Sequence, residues 1–174
     1  MEKYKLTEIK EKDGKKVTYI WHPGVIPEGI PVQQVYGFCR TPENLVVLAR
    51  EDGDERFTPP GGEVEKGESA IETLHREFTE EVQFVPEDIK LLGSLEVINE
   101  NAEQEIQRHN LQVRFVCKIG KLDAFMPLKD DETKERIFVY YKDLPEYVGY
   151  IKKYTSGKIQ YSMYCDYIEG KINL

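Results

Sequence analysis

The run GGEVEKGESAIETLHREFTEEVQF, Gly61 to Phe84, decides how this chain is read. A Gly-Gly pair lets bare backbone approach a neighbour closely. Ser69, with Glu72 three residues on, has the form of a capping box. Ala70, Ile71, Leu74 and Phe78 recur at helical spacing. Together they predict a glycine turn followed by a helix over about Ser69 to Val82, with Pro86 preventing much continuation. On that helix Glu77, Glu80 and Glu81 stand at i, i+3 and i+4 and share a face. At about 100° per residue they fall near about 340°, 280° and 20°, whereas the apolar stripe spans roughly 0° to 100°. The acids therefore border the buried side, while Glu72 and Thr79 lie opposite. Three like charges so placed repel by roughly 0.2–0.5 kcal/mol per pair, and carboxylates beside a core need a cation or hydrogen bonds. Mg²⁺ or Mn²⁺, which prefer oxygen donors, would meet that need. A glycine carbonyl in Pro59-Pro60-Gly61-Gly62 is a further candidate ligand.

Working outward, Tyr4–Ile9 and Val17–Trp21 flank the turn Lys12-Asp13-Gly14-Lys15 and predict a hairpin. Pro23, Pro27 and Pro31, with Gly24 and Gly29, predict an extended loop, so that residues 1–30 form an N-terminal hairpin and loop extension. Val32–Phe38 and Leu45–Ala49 are β-rich and joined by a turn at 40–44. Beyond the helix, Ile89–Ile98 and Leu111–Lys118 read as strands joined by the polar stretch Asn99–Asn110. Arg136–Tyr141 is another apolar run, Asp143 to about Tyr154 a second helix, and Gln160–Ile168 an alternating last strand. Strands on both sides of a strong helix predict an α/β layer fold.

The chain has 174 residues, 40% hydrophobic and 32% charged, which suits a single domain over 1–174. A net charge of -8 argues against a duplex nucleic-acid surface, since no basic excess exists to neutralise phosphates. Cys39, Cys117 and Cys165 show no metal or disulfide spacing and read as free thiols of a reducing compartment. No signal-like segment or apolar run of membrane-spanning length is visible, so a cytoplasmic protein without a membrane partner is expected.

The spacing from Gly62 through Glu68 to Arg76-Glu77-Phe78-Thr79-Glu80-Glu81 resembles the signature of the Nudix hydrolases, with Phe84 at the final hydrophobic position. It departs at Gln83, where the family usually has glycine. A helix-ending residue with positive φ costs on the order of 1 kcal/mol when it is not glycine, so the helix is also expected to run on to Phe84 or Val85 as an alternative. The motif covers about 23 of 174 residues. More loosely, Phe57-Thr58-Pro59-Pro60 and the segment from Asp131-Glu132 to Phe138-Val139 resemble the family's flanking segments. The resemblance implies an α-β-α sandwich with a central mixed sheet and a catalytic loop-helix at about 61–84. It also implies Mg²⁺- or Mn²⁺-dependent hydrolysis of a diphosphate linkage in a nucleoside diphosphate derivative or triphosphate.

In that scheme Glu77, Glu80 and Glu81 carry the metal with the Gly61 carbonyl, Glu80 and Glu81 serve catalysis, and Arg76 orients the motif by pairing with a glutamate such as Glu68. Gly62 and Glu68 are structural. The general base is a motif glutamate or an acid outside it, from Glu100, Glu103, Glu105 and Glu132, with Glu132 favoured because it precedes an apolar run. Arg50, at a strand end before the glycine loop, is a candidate for a substrate phosphate. His22, Arg108 and His109 read as ordinary hairpin-end and loop residues. Tyr147, Tyr150 and Tyr154 form a packing stripe at helical spacing. A homodimer is a family-level expectation. The competing reading is a catalytically weak nucleotide-sensing or partner-binding module on the same fold.

Overall fold

The computed structural model describes residues 1–51, 53–120, 124–126 and 133–174, apart from the side chain of residue 134. A 3-10 turn at Glu2–Tyr4 leads into β1 (Leu6–Lys12) and β2 (Lys15–Pro23). Asp13 and Gly14 between them have φ of 52° and 74°, as a two-residue hairpin turn of matching twist requires. There follow β3 (Val32–Arg40), β4 (Leu45–Glu51), β5 (Gly61–Glu63), α1 (Ala70–Glu77), β6 (Pro86–Glu100), β7 (Ile106–Ile119) and β8 (Thr133–Tyr140). A 3-10 turn at Tyr141–Asp143 precedes α2 (Leu144–Tyr147), α3 (Gly149–Lys153) and α4 (Thr155–Ile168).

The strands form a mixed sheet in the order β1-β2-β6-β7-β3-β4-β8, with β5 paired to β3. β3 and β7 run parallel, and the other described pairs are antiparallel. On one face, Leu74, Phe78 and Val82 pack on Val35, Cys39, Val47 and Val113. On the other, Ile151, Met163 and Tyr164 pack on Phe38, Val46, Leu48 and Val116. The fold is α/β, a mixed open sheet with helices on both faces. Cys39 and Cys117 face each other across the parallel pair as buried free thiols, and burial pushes the Cys39 thiol far up.

The predicted hairpin extends the main sheet, because β2 pairs along β6 from Lys16↔Glu100 to Pro23↔Gly93. Its buried Trp21 joins the core. β1 also reaches the last helix. The Glu8 carboxylate accepts from the backbone N–H groups of Ser156 at 3.0 Å and Thr155 at 3.4 Å, satisfying donors that the start of α4 leaves open. Tyr4 Oη and Lys3 Nζ bind Asp166 at 2.5 and 2.9 Å.

Several expectations are corrected. Residues 160–168, expected as a strand, belong to α4; Met163 and Tyr164 are buried, and Tyr161 and Tyr167 also pack on the core, so the apolar residues are spread around the helix. Most of the polar stretch 99–110 continues β6 and β7, leaving only 101–105 as a turn; polar side chains there lie on solvated strand surface. The expected single helix from Asp143 to Tyr154 is broken at Val148, which is extended with φ -101° and ψ 93°. Ile71, assigned to the apolar stripe, is 40% exposed, and Thr73 is buried instead. Among the described residues no helix is long and apolar enough to cross a membrane.

Candidate functional site

The loop and helix that open the sequence argument meet here. Ser69 caps α1 as expected: its hydroxyl accepts from Glu72 N, and Glu72 reaches back to Ser69 N at 2.8 Å. The helix is α-helical to Glu77 and then widens into a π-turn, Phe78–Val82. A turn of that kind advances fewer degrees per residue than an α-helix, so Phe78 and Val82 both stay buried while Glu81 sits at the edge and Glu80 in solvent. Gln83 closes the turn at φ 55°, ψ 44°, the left-handed conformation normally given to glycine, so the helix does not run on to Phe84 or Val85. The Gln83 side chain bonds Met126 N at 2.9 Å and Met126 O at 3.1 Å. Arg136 Nη1 covers the Val82 carbonyl at 2.5 Å.

The glycines are required by contact. A Cβ on Gly61, whose φ is +146°, would stand 2.0 Å from the Val35 carbonyl oxygen, and one on Gly62 would stand 2.3 Å from Glu77 Oε1. Gly61 N donates to Glu81 Oε2 at 2.8 Å, so loop and helix are joined through one of the expected ligands.

Arg76 is the hub. Its Nε donates to Glu68 Oε1 at 2.8 Å and its Nη2 to Glu68 Oε2 at 3.1 Å and to the Glu63 carbonyl at 3.0 Å. Its Nη1 reaches Glu77 at 2.9 Å and Glu80 at 3.2 Å. The Arg76 guanidinium holds the Glu68 carboxyl down at about 2, helped by the Glu65 N–H and the Thr73 hydroxyl. Glu68 in turn keeps Arg76 firmly charged. Burial pushes the Glu77 carboxyl up against the opposing pull of Arg76.

Among the described residues no three His, Cys, Asp or Glu side chains are gathered tightly enough to hold an ion as they stand. The reason is visible: Arg76 and the Gly61 N–H accommodate the carboxylates of Glu77, Glu80 and Glu81. The chemistry of the donor set still fits a hard divalent cation. It consists of carboxylate oxygens with a backbone carbonyl nearby, and Glu77 is a half-buried acid whose ionised form burial disfavours.

The other candidates lie elsewhere. Arg50 is committed to Glu135, through Nε at 3.0 Å and Nη2 at 2.5 Å, and lies over the Phe57 ring. Glu100 pairs with Lys16 at 2.8 Å, and Glu103 and Glu105 belong to the 101–105 turn beside the first hairpin. Glu132 lies outside the described residues. His22 and His109 stand on strands and bind the two oxygens of buried Glu96, each through Nε2 at 2.7 Å.

Sequence reasoning passed over a cavity of about 260 Å³ between the sheet and the last helices. Tyr36, Arg114, Tyr150 and Gln160 line it, and so do Thr58 and Pro59, which immediately precede the glycine loop. The Arg114 guanidinium lies 4.5 Å from the centre of the Tyr36 ring. One signal was available: Arg114 interrupts the apolar strand Val113-Arg114-Phe115-Val116, and a charge in a buried strand calls for a reason.

Comparison with known proteins agrees with this geometry. The family model described as NUDIX domain matches residues 32–158. An ADP-ribose pyrophosphatase of Methanocaldococcus jannaschii is 27% identical over 148 residues, covering 83% of this chain and 78% of that protein. The crystal structure of the Bacillus subtilis pyrophosphohydrolase BsRppH superposes with a TM-score of 0.69 at 20% identity, over 92% of this chain and 97% of that one. A NUDIX hydrolase from Nitrosomonas europaea gives 0.57 at 19% identity, over 81% and 90%.

Proposed function

The chain belongs to the Nudix family as a diphosphohydrolase, and from that premise we propose that it cleaves a diphosphate linkage in a nucleoside diphosphate derivative or nucleoside triphosphate, with Mg²⁺ or Mn²⁺ held at the glycine loop and the helix behind it. One observation carries this reading: the loop lies so close to the helix that a side chain on Gly62 would displace the Glu77 carboxylate, while Arg76 gathers Glu68, Glu77 and Glu80. Glu77, Glu80 and Glu81, with the Gly61 carbonyl, would hold the cation. When bound, it supplies neutralisation of the diphosphate charge and a lowered pKa for attacking water. The chain's own residues do the rest. Glu68 fixes Arg76, Arg76 holds Glu77 and Glu80 at one edge of the helix, and Gly61 N keeps Glu81 against the loop. An acid from the motif or Glu132 takes the proton from water.

The test is a screen of nucleoside triphosphates, oxidised nucleotides, nucleotide sugars, ADP-ribose and dinucleoside polyphosphates with Mg²⁺ and Mn²⁺, products resolved by chromatography. Turnover should require the cation and fall by about 10²-fold or more in Glu80→Gln and Glu81→Gln, both still folded. Undiminished turnover in both variants would remove the metal role. No turnover on any substrate would favour the nucleotide-sensing module.

A further inference from the structure

Glu81 reaches the glycine loop only because the helix widens before it ends. At the α-helical advance of about 100° per residue, Glu81 would stand about 20° from Ala70 and on the apolar stripe with Leu74. Burial there would penalise a carboxylate. The π-turn Phe78–Val82 brings it to the edge instead, where Gly61 N donates to Glu81 Oε2 at 2.8 Å. Such turns are rare and are frequent at functional sites. This one has two needs. Its last carbonyls have no partner further along the helix. It also closes on Gln83, a residue with a side chain held at φ 55°.

Both needs are met from segments far along the chain. Arg136, on β8, donates through Nη1 to the Val82 carbonyl at 2.5 Å. It is paired with Ala49 of β4, so its backbone is fixed in the sheet. Its guanidinium carbon lies 5.0 Å from the centre of the Phe125 ring and 5.6 Å from that of Phe138. Met126, next to Phe125, exchanges two hydrogen bonds with the Gln83 amide, at 2.9 and 3.1 Å. Arg136, Phe125, Met126 and Gln83 thus form one clasp around the end of the π-turn. We propose that Arg136 is a positioning residue for the hydrolysis: with Gln83 and Met126 it holds the π-turn, and so keeps Glu81 and Glu80 where a divalent cation takes them as ligands. The inference rests on the metal-dependent reading above and deepens it. An arginine suits the place because it donates to a carbonyl while lying against aromatic rings. A positive charge at a helix C-terminus is also favourable.

The experiment titrates the full chain with Mn²⁺ alone and reads the free ion by electron paramagnetic resonance. Arg136→Met keeps the bulk of the stem and loses the donor and the charge. It should remain folded by circular dichroism and weaken Mn²⁺ binding about tenfold or more, as loss of a group that orients ligands does. The Val82 carbonyl needs one donor, so Arg136→Lys should recover most of that loss. In a Glu81→Gln background, Arg136→Met should weaken Mn²⁺ by about twofold or less, because the two changes act through one carboxylate. Should Arg136→Met fail to fold, Gln83→Ala decides: it releases Met126 and should weaken Mn²⁺ about threefold or more, again with little effect once Glu81 is changed. Parent-like Mn²⁺ affinity in Arg136→Met, or an undiminished effect in the Glu81→Gln background, would overturn the proposal. A parent chain that binds no Mn²⁺ at millimolar concentration would overturn the metal reading and this inference with it. Parent binding that Glu81→Gln weakens and Arg136→Met does not would overturn this inference alone.

Discussion

Arg76 holds Glu68 through two parallel contacts, Nε to Oε1 at 2.8 Å and Nη2 to Oε2 at 3.1 Å. The fork leaves Nη1 directed at Glu77 and Glu80, so the glutamate at the start of the motif sets how the acids at its end are presented. Lysine is a point charge and cannot hold all these partners together. Arg76→Lys should keep the fold by circular dichroism and lower kcat by about 10- to 100-fold, the range expected for misplaced catalytic groups. Glu68→Gln, which keeps one acceptor for Arg76, should lose less. An Arg76→Lys variant with full kcat would show that the fork does not present the acids.

The two motif glycines should fail differently. At Gly61 an added methyl would meet the Val35 backbone carbonyl, which cannot move without the sheet. At Gly62 it would meet the end of the Glu77 side chain, which can swing away. Gly61→Ala should therefore lose about 2 kcal/mol or more in urea unfolding. Gly62→Ala should stay within about 1 kcal/mol of the parent while turnover drops by about 10²-fold. Equal stability losses with equal activity would contradict the assignment.

Acid should release the Glu96 contact. Burial raises this carboxyl, but the hydrogen bonds from His22 and His109 leave it below its ordinary 4.5. A depressed folded pKa means the contact stabilises the protein above about 4.5, the unfolded value, and that this stabilisation is lost as pH falls through the lower folded value. Glu96→Gln should therefore melt below the parent at pH 7, and the gap should close progressively below about pH 4.5. A gap independent of pH would place the effect in packing.

Gln83 balances two effects. Its left-handed backbone costs about 1 kcal/mol in a non-glycine residue, and its amide holds both backbone groups of Met126. Gln83→Gly relieves the first and loses the second, at about 1 kcal/mol for each of the two bonds, so it should be about 1 kcal/mol less stable than the parent in urea unfolding. Gln83→Ala keeps the strain and loses the bonds, and should cost about 1–2 kcal/mol. A strongly stabilised Gly variant would show that the Met126 contacts contribute nothing.

What was legible in the chain follows from how local each signal is. Ser69 with Glu72, and Asp13 with Gly14, encode a helix start and a turn within four residues, and both form as read. The departure at Gln83 was visible, but its outcome depended on Met126, a distant partner. The π-turn at Phe78–Val82 leaves no mark in a pattern read at a fixed angle per residue. α4 was misread because its apolar residues touch neighbours on several sides, so no single stripe marked it as a helix. The cavity was not legible because Tyr36, Arg114 and Gln160 meet only once the sheet and α4 are assembled.

The bond between Glu8 and the start of α4 spans 148 positions along the chain. During synthesis, the first strand must wait for almost everything after it before its acid finds a partner. Contacts so distant in sequence slow folding, and the cavity wall that includes Gln160 can close only after the last helix has been made. A nascent chain halted before that point would carry the whole glycine motif and still lack one wall of the cavity beside it.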